Sequence, residues 1–174
     1  MSPITLSESG LEFGPFDDDL CFPVERSKLY AGLGEGIKMV EFMLVRPGKN
    51  GVTNLLCVEA KTTMPQQGNQ PRFDESFTEI RDKMLNALLL FLGARLGRHA
   101  GAADELPAGM RELDLATAGV KFVLVVSNAR KDWLDPLQNK MNNVMRPIVK
   151  TFNLDPLSVV VVDPAGARKH GLIV

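Results

Sequence analysis

A chain of 174 residues, 45% hydrophobic and 24% charged, is long enough for one domain with a real core, and residues 1–174 read as a single domain. A net charge of −1 excludes a whole-surface attraction to phosphate or to an anionic membrane, so any contact with nucleic acid must come from a local basic surface or another subunit. The two cysteines, Cys21 and Cys57, suit a reducing compartment, and Cys57 falls in an apolar run that makes it a buried, inert thiol.

The first residues lack a basic segment followed by an apolar run, which argues against a secretory signal. The longest apolar run, "ALLLFL" at 87–92, is too short to span a bilayer, so the expectation is a soluble, cytoplasmic protein without a membrane partner.

Residues 1–20 read as a lead-in with one short strand near 11–13 and an acidic run, Asp17-Asp18-Asp19. A proline suited to a first helical position and terminal glycines predict a short helix over 23–33. "IKMVEFMLV", 37–45, reads as a strand. The turn-rich "RPGKNGVTN" then leads to a second strand, "LLCVEAKTT", 55–63. A two-residue loop would set Glu41 opposite Ala60. A three-residue loop, Lys49-Asn50-Gly51, with Gly51 in the left-handed region, sets Glu41 across from Glu59, with Lys61 on the same face.

A polar loop, 64–72, precedes a helix over 76–97 opened by a Ser76–Glu79 capping box. Phe77, Ile80, Met84 and Leu88 form its apolar side. Residues 88–92 are apolar nearly all round and are either covered on two sides or a subunit contact. Arg81 and Lys83 read as exposed. Residues 98–119 read as an exposed connection with room for one helical turn, followed by a buried strand at 120–127. A helix over 135–153 is capped by Asp135, and Pro147 should kink or split it. A second buried strand, 157–163, completes a strand–helix–strand unit with parallel pairing. The expected fold is α/β, with a mixed central sheet, an antiparallel hairpin plus parallel strands, flanked by helices on both faces.

Two glutamates directly opposite across a hairpin repel, and the arrangement makes sense when a cation sits between them. Mg²⁺ is the obvious candidate, since it takes carboxylate oxygens and keeps waters, and Lys61 beside it is placed to stabilise developing negative charge. An alternative makes Glu41 and Glu59 solvent-facing residues of an edge hairpin, salt-bridged by Lys61, but Met39, Met43, Leu55 and Cys57 are poor company for a solvated face.

The order of a short helix, an acid-bearing strand, a turn, "VEAK" on the next strand, a helix and a further strand resembles the PD-(D/E)XK nuclease superfamily. The resemblance covers residues 22–96 well and the later strand–helix–strand more loosely. It implies a restriction-endonuclease-like fold with Glu41 as first acid, Glu59 as second and Lys61 as the motif lysine. It offers Glu25 as the added acid on the preceding helix, where a plain helix-dipole role competes, and it would let Lys83 approach the site, against the reading of an exposed helix lysine. Glu41 stands where Asp is usual and Val40 where the motif has proline. The implied activity is Mg²⁺- or Mn²⁺-dependent hydrolysis of DNA or RNA, in a homo-oligomer or with a partner protein, within a restriction or anti-phage defence system. A second hypothesis is a catalytically silent subunit of the same fold, using the 88–92 face and the Asp17–Asp19 run as contact surfaces. A third is a small-molecule phosphate enzyme, which needs "SNARK", 127–131, and "DPAGARK", 163–169, to converge. His99 and His170 lack ligand spacing and read as surface histidines. "SNARKDW", 127–133, follows a buried strand, where open α/β sheets bind ligands.

Overall fold

The computed structural model describes residues 2–49 and 51–174. Seven strands and six α-helices form among them. β1 (Pro3–Glu8) and β2 (Leu11–Asp17) make a separate antiparallel hairpin. The main sheet has the order β3 (Cys21–Phe22), β4 (Phe42–Pro47), β5 (Thr53–Lys61), β6 (Gly119–Val126), β7 (Val159–Val162). Pairing is antiparallel from β3 to β5 and parallel from β5 to β7, giving the expected mixed sheet.

Strict alternation sorts the sheet residues into two cores. Leu55, Cys57, Phe122, Leu124 and Val161 lie on the face covered by α2 (Gln70–Arg95) and α5 (Lys131–Thr151). Leu56, Val58, Ala60, Val123 and Val162 lie on the other face. That second face is covered differently from expectation. Residues 3–17 form the β1–β2 hairpin rather than a lead-in with one strand, and they share the layer with short α6 (Pro164–Lys169). Phe13 and Phe16 of β2 pack on Phe42 at ring-centroid distances of 5.3 and 5.4 Å. Phe13 bridges to Ile173, and Gly14 N–H donates to Leu172 O at 2.9 Å.

Other boundaries shift for physical reasons. The helix expected over 23–33 is broken at Ser27, whose extended backbone separates a 3-10 turn (Val24–Arg26) from α1 (Lys28–Ala31). The Ser27 hydroxyl accepts from Tyr30 N–H, and Glu105 of α3 (Ala102–Glu105) accepts from Lys28 and Leu29 N–H at 2.7 and 2.6 Å. The connection at 98–119 is therefore not simply exposed. It also carries α4 (Ala108–Glu112) and buries Ala102, Leu106, Met110 and Leu113.

α2 begins at Gln70, with Pro71 in its first turn, so Ser76 and Glu79 lie inside the helix and do not cap it. The 88–92 run is mostly core: Leu88, Leu90 and Phe91 are buried and only Leu89 is strongly exposed, at 57%. α5 starts four residues before Asp135 and runs through both Pro136 and Pro147 without splitting, because burial of Leu137, Met141 and Met145 outweighs the lost backbone hydrogen bonds.

The hairpin register is the one a three-residue loop dictates. Phe42 pairs with Val58 and Pro47 with Thr53, and Gly48 N–H donates to Val52 O at 2.7 Å. Asn50 lies outside the described residues, while Gly51 takes φ +74°. An L side chain there adopts the left-handed region at a cost, so Gly51→Ala should destabilise the protein by about 1–2 kcal/mol in urea titration.

Candidate active site

β5 ends on "EAK", with Glu59 and Lys61 on the α2 side of the sheet, in the alternation set by Leu55 and Cys57. Continuing the β4–β5 register one step past Phe42↔Val58 sets Glu41 opposite Glu59. Glu41 stands just outside β4, in a bend, since the strand expected from residue 37 begins only at Phe42.

Glu59 is completely buried, which removes the solvent-facing reading for that residue. Its Oε1 accepts from Lys83 Nζ at 2.7 Å and lies 3.2 Å from Lys61 Nζ. Its Oε2 is buried with no hydrogen-bond partner among the described residues. Burial pushes the Glu59 carboxyl up, and the two ammonium groups pull back only part of that. Burial pulls Lys83 down, but Glu59 beside it outweighs the loss and holds the ammonium charged.

Lys83 corrects the sequence reading, which left it exposed on the helix surface. It is 8% exposed and points from α2 onto Glu59. The signal was available: Lys83 falls within the apolar stripe of Ile80, Met84 and Ala87 at helical spacing. Glu79, one turn earlier, was read only as a capping residue. It instead accepts from Lys38 Nζ at 2.9 Å and lies 3.6 Å from Lys61 Nζ. Lys61 thus sits between Glu59 and Glu79 at the mouth of the site.

Glu41 is half-buried and its carboxyl is pushed up to about 7, first by burial and then by repulsion from Glu59, Glu8 and Glu25. Glu25 is exposed on the 3-10 turn, near enough to repel Glu41. Glu8, on β1, was not singled out from the sequence because the hairpin carrying it was not foreseen.

The unfolded chain holds the Glu41 proton only to about 4.5, so the folded state binds it more tightly between those values. The resulting stability is full below about 4.5 and is lost as pH rises through 7. In chelator, unfolding free energy should fall by ~2 kcal/mol across that window after allowance for partial exposure, and Glu41→Gln should flatten the slope.

The residues fit a hard divalent cation. Glu59 Oε2 is a buried acceptor lacking a donor among the described residues, and Glu41, across from Glu59 in register, has its carboxyl pushed up first by burial and then by its acidic neighbours. Mg²⁺ is commonly held by one or two carboxylates and several waters. Glu25 faces solvent.

Among the described residues, three carboxylates lie within 4.8 Å of one another only at Asp17, Asp18 and Asp19. That run sits at the end of the first hairpin, where Asp17 and Asp18 already accept backbone N–H groups of Asp19 and Ser2. No protein-family model, curated protein or solved structure matches this chain. The function therefore rests on the site itself.

His99 lies in the bend between α2 and α3, and His170 caps the end of α6. Burial pushes the Cys21 and Cys57 thiols up to about 12, so neither is a nucleophile. Residues 127–131 and 163–169 follow the neighbouring ends of β6 and β7 and lead into helices on opposite faces of the sheet. No helix among the described residues is long and apolar enough to cross a membrane.

Proposed function

We propose that the chain is a metal-dependent phosphodiesterase acting on DNA or RNA, with a restriction-endonuclease-like arrangement of the mixed sheet. The observation that carries this reading is the orphaned Oε2 of fully buried Glu59, set beside two lysines and across from Glu41. A buried carboxylate with one oxygen saturated by ammonium groups and the other bare is costly unless a cation or donor completes it.

Glu41 and Glu59 would hold the ion, Mg²⁺ or Mn²⁺, which supplies Lewis-acid activation of water and of the phosphate. Lys83 holds Glu59 through Oε1 and leaves Oε2 without a partner, the oxygen that would be available to the ion. Lys61, 30% exposed, reaches out of the site and stabilises negative charge developing on the phosphate. A role in a restriction or anti-phage system, with a partner or a second copy supplying basic surface, extends the same reading.

The test is cleavage of plasmid, single-stranded DNA and RNA in Mg²⁺, Mn²⁺ or EDTA, with Glu59→Gln alongside. Metal-dependent cutting lost in Glu59→Gln supports the proposal; cutting that persists in EDTA sinks it. The closed Glu59–Lys83 pair favours a second reading, a catalytically silent scaffold in which lysine replaces the cation. Divalent ions would then leave the melting temperature unchanged.

A further inference from the structure

The ends of β5 and β6 run into two loops that hydrogen-bond each other, Ser127 N–H to Lys61 O and Asn128 N–H to Thr62 O, each at 2.9 Å. Beyond them a cleft of about 400 Å³ opens between the loop at 65–68 and the first turns of α5. Trp133, the only tryptophan of the chain, forms one wall, half-buried, with the Arg130 guanidinium 5.4 Å from its ring centroid. Phe73 lies in the floor, and the Gln66 and Gln67 amides form the rim. A second hollow of about 380 Å³ shares Gln67 and Phe73 and continues along α5 past the amides of Asn139 and Asn143.

This lining has a particular chemistry. Its two cations, Arg130 and Lys140, are already paired with Asp132 and Asp74, so net charge is not its main attraction. What remains is an aromatic wall and primary amides that both donate and accept. Those are the features that hold an unpaired nucleobase, through its π face and its hydrogen-bonding edge. Two long helices start here, α2 and α5, and neither start is capped by a side chain, so backbone N–H groups remain for a phosphate beside the base. Pro65 is four residues from Lys61, at most about 14 Å of chain, so a strand seated here lies within reach of the carboxylates.

We propose that this trough binds the unpaired bases of a single-stranded nucleic acid, stacking one on Trp133, and presents the strand to the Glu41–Glu59–Lys61 site. The strand's fate rests on the nuclease reading; its binding does not. The test is therefore done in EDTA, where no cutting occurs.

Trp133 emission is followed while the protein is titrated with single-stranded DNA, single-stranded RNA, duplex DNA or a mononucleotide. A saturable change with single strands, and at least tenfold weaker binding of duplex and mononucleotide, is expected. By labelled-oligonucleotide anisotropy, Trp133→Ala should weaken single-strand binding about tenfold or more, and Trp133→Phe should restore most of it. Gln67→Ala, an exposed change that spares the core, should weaken binding without altering melting. Equal affinity for duplex, an equally tight mononucleotide, or unchanged single-strand affinity in Trp133→Ala and Gln67→Ala would each overturn the assignment. Single-strand binding without later cleavage in Mg²⁺ would remove the nuclease reading and leave this one standing.

Discussion

Lys61→Ala should reduce metal-dependent cleavage by roughly 10²-fold or more while leaving the fold almost untouched. The loss follows from position, because Lys61 is the more exposed of the two ammonium groups on Glu59 and reaches toward solvent, where a scissile phosphate would lie. Removing a single preorganised donor from a transition state costs on that order. The structural cost is small by comparison. Lys61 lies 3.2 Å from Glu59 and 3.6 Å from Glu79, but Glu59 keeps Lys83 and Glu79 keeps Lys38. A partly exposed pair of this kind contributes up to about 1 kcal/mol. Urea titration of the variant should therefore give a nearly unchanged midpoint beside a collapsed turnover rate. A large drop in stability together with retained cutting would reverse the roles assigned here to the two lysines.

Lys83→Met should destabilise the protein by about 3–5 kcal/mol at neutral pH, the cost of stranding a buried charge. Methionine fills the volume, so packing is nearly conserved and the effect isolates the charge. Glu59 would be left at 0% exposure with only Lys61, and it would take up a proton instead of remaining ionised. The double variant Glu59→Gln/Lys83→Met should recover much of the loss, and a double-mutant cycle in urea measures that coupling. Additive losses would mean that Lys83 acts through packing alone. Added Mg²⁺ should rescue Lys83→Met in part and leave the double variant unchanged, since the neutral amide is a weak ligand.

The sheet was legible because its strands follow simple rules. The nearly unbroken apolar runs at β6 and β7 demanded burial on both faces, and Gly51 demanded a left-handed turn, which fixed the β4–β5 register and set Glu41 across from Glu59. The β1–β2 hairpin was not legible, because its apolar residues Leu6, Phe13 and Phe16 are interrupted by glycines and proline and find partners only in tertiary structure. The start of α2 was missed because a Ser-x-x-Glu box competed with an uncapped start at Gln70, and Pro71 decided the outcome. Lys83 was misread because a lysine on a helix is ordinarily outside, and only its place among Ile80, Met84 and Ala87 marks it as facing inward. Trp133 was seen only as the end of a loop motif, since the wall it forms needs α2 and α5 side by side.

The second face of the sheet is sealed by a clasp between the earliest and the latest parts of the chain, Phe13 against Ile173 and Gly14 against Leu172. The apolar face of the β1–β2 hairpin has no complete partner until residues 172 and 173 are in place. A chain cut before residue 172 would therefore leave Phe13, Phe16 and Phe42 without their full cover, a target for self-association.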